Sequence, residues 1–272
     1  MRAGQASLHW PWADLHKAVA VLGVHAHAEV LPTIDSTNSE LIRRARSGDT
    51  RPCLLVAEQQ TAGRGRQGRN WQGLRADALT FSLGLMLAPA DWSGLSLAVG
   101  VCIADALDAK ATMGMGLKWP NDIWVDAHHA PRKLAGILIE TVWTEGDSGT
   151  ARYTVMGIGI NLHAPMDAGL STPAAGLREW MGEALLPPHV LQSVIAPLVA
   201  GVQLFEAQGF AAFKERFAKR DVLQGQTIRL SNGIEGVACG VDIGGVLQVD
   251  TAQGRVAVNS DEVSVRLAVG AA

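Results

Sequence analysis

The chain has 272 residues, 48% of them hydrophobic and 18% charged, a composition that is typical of a globular protein and excludes a disordered one. A chain of this length is expected to bury a large core and to form one larger domain and a small one. The formal net charge of −3 provides no overall attraction for nucleic acid, so any attraction for anions must be local.

The sequence predicts neither a secretory signal nor a membrane span. Met1–Trp12 is polar, and Ala18–Leu31 is interrupted by two histidines and a glutamate. No apolar run is expected to be long enough to cross a bilayer. The cysteines Cys53, Cys102 and Cys239 are far apart in apolar surroundings, which predicts buried free thiols in a reducing compartment. We therefore predict a soluble, cytoplasmic protein.

The first part of the chain is predicted to alternate between helices and strands. A helix over Trp12–Leu22 and a strand over Glu29–Ile34 are followed by a second helix. The junction Asp35–Asn38 offers several N-cap candidates, and Thr37 with Glu40 fits a capping box. The same polar side chains and free N–H groups could instead face a small polar ligand, so both interpretations stay open.

A loop dense in glycine and arginine, Gly63–Arg69, lies between strands predicted at Cys53–Ala57 and Ala78–Leu87. Its three glycines exclude a helix or strand and let the backbone approach a ligand. Its three arginines carry forked donors that suit phosphate or carboxylate. The alternative is a solvated linker that contacts nucleic acid without specificity, but the two strands tether this loop inside a domain. The pattern favours an anion site.

Three later segments place polar groups near strand ends. After an apolar helix predicted over Ser93–Lys110, Lys118–Ile123 forms a strand end and a turn, because a residue before proline avoids the helical region. Lys133 stands at the start of an apolar strand. Val155–Leu162 is a strand with two glycines, and such glycines often mark close approach of a ligand or another backbone. A dinucleotide-binding fingerprint is a poor interpretation, because no third glycine or following helix is present.

Beyond about Val222 the pattern changes to short strand-like runs, after two predicted helices at Pro187–Phe205 and Phe210–Lys219. These runs predict a small β-barrel of about 50 residues that packs on the main domain. The turns that separate them carry Asn232-Gly233, Gly244-Gly245 and Gln253-Gly254.

Together these segments resemble the biotin protein ligase family, in the family's order from about Leu31 to the C-terminus. The resemblance implies an α+β fold, with a mixed β-sheet flanked by helices of the class II synthetase-like biotin/lipoate ligase type and a C-terminal SH3-like barrel. It implies an N-terminal extension over 1–30, a catalytic domain over 31–221 and the β-domain over 222–272. The motifs are Asp35-Ser36-Thr37-Asn38, Glu58–Arg69, Lys118-Trp119-Pro120-Asn121-Asp122, Lys133-Leu134-Ala135-Gly136 and Gly157–Leu162.

The resemblance implies an ATP-dependent enzyme that joins the biotin carboxylate to ATP, with Mg²⁺, giving biotinyl-5′-adenylate and pyrophosphate. The biotinyl group then passes to one lysine of a carrier domain on a biotin-dependent carboxylase. We expect no tightly bound metal site, no nucleic acid or membrane partner, and a monomer or weak homodimer. Some members carry an N-terminal DNA-binding module, and about thirty residues before the family core are too few for it, so the resemblance implies the enzyme without the repressor.

The resemblance also assigns the site residues. The implied catalytic residues are Lys133, Arg64 and Arg66. The implied biotin-binding residues are Ser36, Thr37, Asn38 and Gln60 at the ureido ring, together with Arg64, Gly65, Arg66, Lys133 and Gly136. The implied ATP-binding residues are Arg66, Arg69, Trp71, Lys118, Asn121, Lys133 and Asn161. The connection from Asp122 to Lys133 is longer than the family pattern, which leaves the turn there open.

Three alternatives remain beside the biotin ligase. A lipoate or octanoate ligase would share the fold and the lysine, but an apolar acyl chain would not require the polar set around Ser36–Asn38. A regulator that binds nucleic acid through the arginine loop would show a steep salt dependence, and the net charge opposes it. A non-catalytic biotin-adenylate sensor would need the same pocket, but no turnover.

Overall fold

The computed structural model describes residues 8–71, 76–126, 130–143, 151–165, 172–260 and 265–267. Seven strands form the main sheet, in the spatial order β1-β2-β3-β7-β6-β5-β4. They are β1 (His27–Leu31), β2 (Cys53–Ala57), β3 (Ala78–Leu87), β4 (Gly116–Lys118), β5 (Asp122–Val125), β6 (Arg132–Val142) and β7 (Arg152–Asn161). β1 and β2 are parallel and every other neighbouring pair is antiparallel, so the sheet is mixed.

Helices cover the two faces of this sheet unequally. They are α1 (Trp12–Ala20), α2 (Thr37–Arg46), α3 (Leu95–Leu107), α4 (Arg178–Met181), α5 (Pro187–Gln208) and α6 (Lys214–Ala218). α3 and α5 pack together on one face with the main hydrophobic core, and α2 packs on the other. Because side chains alternate along a strand, Met156, Ile158 and Ile160 of β7 enter the core, and Gly157 and Gly159 face the side of α2.

Five antiparallel strands form a second, smaller sheet in the order β11-β10-β9-β8-β12. They are β8 (Thr227–Leu230), β9 (Glu235–Val241), β10 (Leu247–Thr251), β11 (Gly254–Val258) and β12 (Val265–Leu267). Its apolar face joins the main core, and Trp119 Nε1 donates to Gly245 O at 3.1 Å across the junction. The predicted fold class, a mixed sheet with helices plus a small C-terminal β-domain, is confirmed. The divisions at residues 30 and 221 stay predictions.

Several local predictions need correction. α2 begins at Thr37 and its N-cap is Ser36, whose hydroxyl accepts from Ser39 N at 3.4 Å, so the capping box built on Thr37 was wrong. α3 begins after Gly94, which adopts a left-handed φ of 79°. The sequence predicts a strand end and a turn over Lys118–Ile123, whereas a short strand, β5, begins there at Asp122. Cys239 is partly exposed and not buried.

The expectation that no apolar run is long enough to span a bilayer was wrong. Among the described helices, α5 alone, with 22 residues, is long and apolar enough to do so. Half of the most apolar stretch of this helix is buried inside the protein, and side chains such as Val194 and Leu198 lie in the main core. A core helix passes the same test of length and composition, so α5 is weak evidence for a membrane.

Asp221, at the start of the C-terminal segment, is expected to make stability depend on pH. Burial raises its pKa from 3.8 to about 6, although Leu223 N donates to one carboxyl oxygen at 2.9 Å. Since the folded pKa is raised, the protonated carboxyl stabilises the fold below pH 3.8, and this contribution is lost as the pH rises through about 6.

Asp221→Asn should therefore raise the free energy of unfolding above about pH 6 by roughly 1–3 kcal/mol, with the gain vanishing near pH 4. Urea unfolding across this range measures it. Glu215→Gln, at an exposed position of α6, is the matched control and should show no such trend. A gain of equal size at all pH values would contradict the assignment to ionisation.

Candidate active site

A cavity of about 410 Å³ opens on the face of the main sheet that carries α2. Every site residue expected from the sequence lines it, namely Ser36, Thr37, Asn38, Gln60, Arg64, Gly65, Arg66, Arg69, Trp71, Lys118, Asn121, Lys133, Gly136 and Asn161. Several further residues line the cavity without having been expected at the site, among them Gln67, Thr80, Asp122, Thr172 and Arg266. The cavity therefore brings together segments that are up to about 230 residues apart in the chain.

One end of the cavity carries a hydrogen-bonded group of neutral polar side chains. Thr37 donates to the Gln60 amide oxygen from both its backbone N, at 2.7 Å, and its hydroxyl, at 3.1 Å. Ser82 Oγ lies 2.7 Å from both the Thr37 hydroxyl and the Asn38 amide oxygen. Thr37, Asn38 and Ser82 are buried, so these groups are held in fixed orientations. This end suits a neutral ligand that both donates and accepts hydrogen bonds.

The Asn38 side chain contacts both β6 and β7. Its amide nitrogen donates to Leu138 O at 3.2 Å and to Glu140 at 3.0 Å. A Cβ at Gly157 would come within 2.1 Å of the Asn38 amide oxygen. The glycine is therefore required by a side chain, and not by another backbone.

Trp71 lies over two further glycines of the sheet. A Cβ at Gly159 would come within 2.2 Å of its indole ring, and one at Gly136 within 3.1 Å. The Lys133 ammonium lies 5.8 Å from the ring centroid, in a cation–π arrangement. Trp71 Nε1 is buried with no hydrogen-bond partner among the described residues, a costly arrangement for a donor.

A β-bulge turns Lys133 toward the cavity. Along β6, Ala135 and Ile137 face the helical core, so strict alternation would send Lys133 there as well. The register with β5 shifts between Ile123, which pairs with Ala135, and Trp124, which pairs with Lys133. The extra residue reverses the orientation of Lys133. Its ammonium then forms an ion pair with Asp122 at 2.7 Å.

The glycine-arginine loop brings its guanidinium groups to the same cavity. Arg64 forms an ion pair with Glu140 at 2.7 Å and donates to Ser39 Oγ at 3.3 Å. Arg66 donates to the backbone carbonyl of Ser260, which follows the last strand but one of the smaller sheet. Arg69 donates to the side chain of Gln67 at 3.0 Å within the loop. The loop thus bridges α2, the main sheet and the C-terminal sheet.

Lys118 adds a further cation to the wall of the cavity. Its ammonium donates to Val265 O of β12 at 2.6 Å and lies 5.2 Å from the ring centroid of Trp124. Burial lowers the pKa of Lys118 from its ordinary value. Nearby, Asn121 is fixed by donating its amide to Ile137 O at 2.8 Å. β12 therefore contributes directly to the cavity wall.

The cavity thus combines a neutral polar end with a cationic end, and such a site can bring two anionic groups together while offsetting their repulsion. Sequence reasoning missed three residues that orient the others, Ser82, Asp122 and Glu140. Asp122 had a signal, since it stands in the motif with Lys118, but it was interpreted as a turn former. Ser82 and Glu140 lie inside apolar strands, where alternation alone does not reveal which polar residue faces a site.

Comparisons with known proteins identify relatives of this chain. The family described as the biotin/lipoate A/B protein ligase family matches residues 30–161. The bifunctional ligase/repressor BirA of Salmonella typhimurium is 35% identical over 231 residues, which cover 81% of this chain and 68% of that protein. The biotin–[acetyl-CoA-carboxylase] ligase of Paracoccus denitrificans is 30% identical over 86% of this chain and 98% of that protein.

Among solved structures, the biotin protein ligase of Aquifex aeolicus in complex with biotin and ATP superimposes with a TM-score of 0.73. It is 26% identical, and the match covers 89% of this chain and 99% of that one. The similarity therefore extends beyond residues 30–161, which the family model matches, to most of the chain.

Proposed function

The chain belongs to the biotin protein ligase family, and from this membership and the side chains of its cavity we propose that it activates biotin with ATP and transfers the biotinyl group to a lysine of a carrier protein. The neutral polar group formed by Thr37, Asn38, Gln60 and Ser82 carries the proposal. These side chains match a ureido ring, which both donates and accepts hydrogen bonds. Ser36, also buried at this end, completes the set.

In the first step a biotin carboxylate oxygen attacks the α-phosphorus of ATP, the bond to the β-phosphate oxygen breaks, and pyrophosphate leaves. Both reactants are anions, so the site must offset their repulsion. Lys133 and Arg64 lie where they can bind the carboxylate, and each would exchange its present carboxylate partner for the substrate. Arg66, Arg69 and Lys118 bind the phosphates.

The nucleoside is assigned to the side of Trp71 and Asn161. The indole nitrogen of Trp71, which lacks a hydrogen-bond partner within the described part of the chain, supports a ring that changes its position when the adenine binds. Mg²⁺ enters with the phosphates of ATP: Asp122 is the one carboxylate among the described lining residues and is already paired with Lys133. Such a donor set fits an ion held chiefly by phosphate oxygens and water, and not a resident metal.

In the second step the neutral amine of an acceptor lysine attacks the acyl carbon of biotinyl-5′-adenylate. An amide bond forms, the bond to AMP breaks, and the amine loses a proton. The mixed anhydride would hydrolyse in water, so Gly65 and the loop around it must close over it. We propose as acceptor the carrier domain of a biotin-dependent carboxylase, and the cytoplasm, where ATP and such carriers meet, as the location.

Pyrophosphate release from MgATP tests the proposal, with biotin, lipoate or octanoate supplied in parallel and the acceptor first omitted and then added. We expect a single burst with biotin alone that becomes continuous turnover with acceptor. A response to lipoate or octanoate in place of biotin would move the substrate assignment within the same fold. Biotin binding without any release would make the protein a sensor and not an enzyme.

Two glycines of β7 allow the two halves of the site to be tested separately. Gly157→Ala places a methyl group against Asn38 and should raise the KM for biotin about tenfold or more, with little change in that for ATP. Gly159→Ala displaces Trp71 and should raise the KM for ATP about tenfold or more, with little change in the KM for biotin. Steady-state kinetics of each variant measures both constants. If both substitutions raised the same KM, the division of the cavity would be wrong.

A further inference from the structure

Outside the cavity, three side chains of metal-binding type meet on the edge of the main sheet. His27 of β1 and Cys53 of β2 are register partners in the parallel pair, and Glu29 lies two residues after His27 on the same face. One ligand atom from each, a nitrogen, a sulfur and an oxygen, lie within 4.8 Å of one another. None of the three residues lines the cavity.

One property of this group points to a ligand, and a second determines what that ligand must displace. His27 Nδ1 is buried and has no hydrogen-bond partner among the described residues, and a buried polar atom of this kind requires an explanation. Cys53 is 2% exposed, and burial raises the pKa of its thiol to about 12, so the free group is protonated and unreactive. A metal ion bound through Nδ1 would give this atom a partner, and binding would displace the thiol proton.

We propose that His27, Glu29 and Cys53 bind a divalent transition-metal ion of the zinc class. Imidazole, thiolate and carboxylate are the three ligand types that such an ion accepts, and a tetrahedral ion would keep its fourth position for water. β1 is the edge strand of the sheet, and His27 and Glu29 are only partly buried, so the ion can enter from solvent. The separation of up to 4.8 Å must contract slightly, which side-chain rotation allows.

Several charged side chains surround the three proposed ligands and affect metal binding. Glu29 forms an ion pair with Arg44 at 2.7 Å, and Arg44 also contacts Glu40 at 2.8 Å, so it keeps a partner when Glu29 turns to the metal. Asp49, paired with Arg51 at 2.7 Å, and the buried phenol of Tyr153 also lie near Cys53. Binding converts a thiol and a hydrated ion into a metal thiolate and a proton, so affinity should rise with pH.

The test uses the full chain, reduced and stripped of metal, titrated with Co²⁺ and then with Zn²⁺. A cobalt–thiolate bond gives a charge-transfer absorption that Zn²⁺ abolishes. We expect such a band to saturate at one equivalent, to disappear in Cys53→Ser and Cys53→Ala, and to weaken at least tenfold in affinity in His27→Gln. Cys239→Ser and His25→Gln, at a partly exposed and an exposed position, should leave it unchanged.

A chain that shows no band, or whose band survives in Cys53→Ala and His27→Gln, would overturn the proposal, and the group would then be an ordinary contact between core side chains. If the cysteine variants fail to fold, His27→Gln and Glu29→Gln decide the question, since both positions are only partly buried. Zn²⁺ should raise the thermal unfolding midpoint of the unsubstituted chain and leave those of the two variants unchanged. An equal rise in all three would also count against it.

Discussion

Lys133→Ala is expected to slow pyrophosphate release from biotin and MgATP by about a hundredfold or more, because it removes a fixed charge from the point where the proposed mechanism brings two anions together. The rate should fall by more than the removal of one positive charge would cause. Asp122, which lies 2.7 Å from the ammonium, would remain as an unpaired negative charge beside the substrates. Transfer from preformed biotinyl-5′-adenylate to the acceptor should slow as well. Rapid-quench assays of each step measure both effects.

The double variant Lys133→Ala/Asp122→Asn separates the two causes. If part of the loss comes from the unpaired carboxylate, the double variant should be faster than Lys133→Ala alone, and the two substitutions will not be additive. Lys133→Arg keeps the charge but not the shape and should recover only part of the rate. Lys133 is only partly buried, so thermal unfolding should show a preserved fold. Release within twofold of the unsubstituted chain would remove Lys133 from the mechanism.

Arg66→Gly is expected to release biotinyl-5′-adenylate into solution and so to label lysines of bystander proteins, by about tenfold or more per pyrophosphate released. The physical reason is the position of Arg66. Its guanidinium donates to the Ser260 carbonyl and so connects the glycine-arginine loop to the C-terminal segment across the cavity. Without it the loop should close less completely, and the reactive anhydride should escape before transfer.

The measurement is biotin incorporated into an added protein without a carrier domain, divided by pyrophosphate formed. Arg69→Gly is the matched control, since it removes a guanidinium from the same loop whose described contact is with Gln67 inside that loop. It should weaken ATP binding while labelling stays specific to the acceptor. Equal and specific labelling by the unsubstituted chain and by Arg66→Gly would refute the retention role of Arg66.

Much of the fold could be read from local patterns. The predicted bounds of β2, Cys53–Ala57, and β3, Ala78–Leu87, coincide with the observed strands, because each is a continuous apolar run bounded by turn residues. The short strand-like runs predicted after Val222 correspond to the five strands of the smaller sheet. The residues expected at the site were found from the order of their motifs, and all of them line one cavity. Their individual roles stay predictions.

The sequence by itself determined most of the elements, the small β-domain and the residues expected at the site. Only the tertiary structure decided how those residues are oriented, because orientation depends on register between segments far apart in the chain. The bulge opposite Trp124 turns Lys133 into the cavity, and a slip of one residue would have sent it into the core. Likewise, the pairing of β1 with β2 places His27 beside Cys53, although no local pattern relates them.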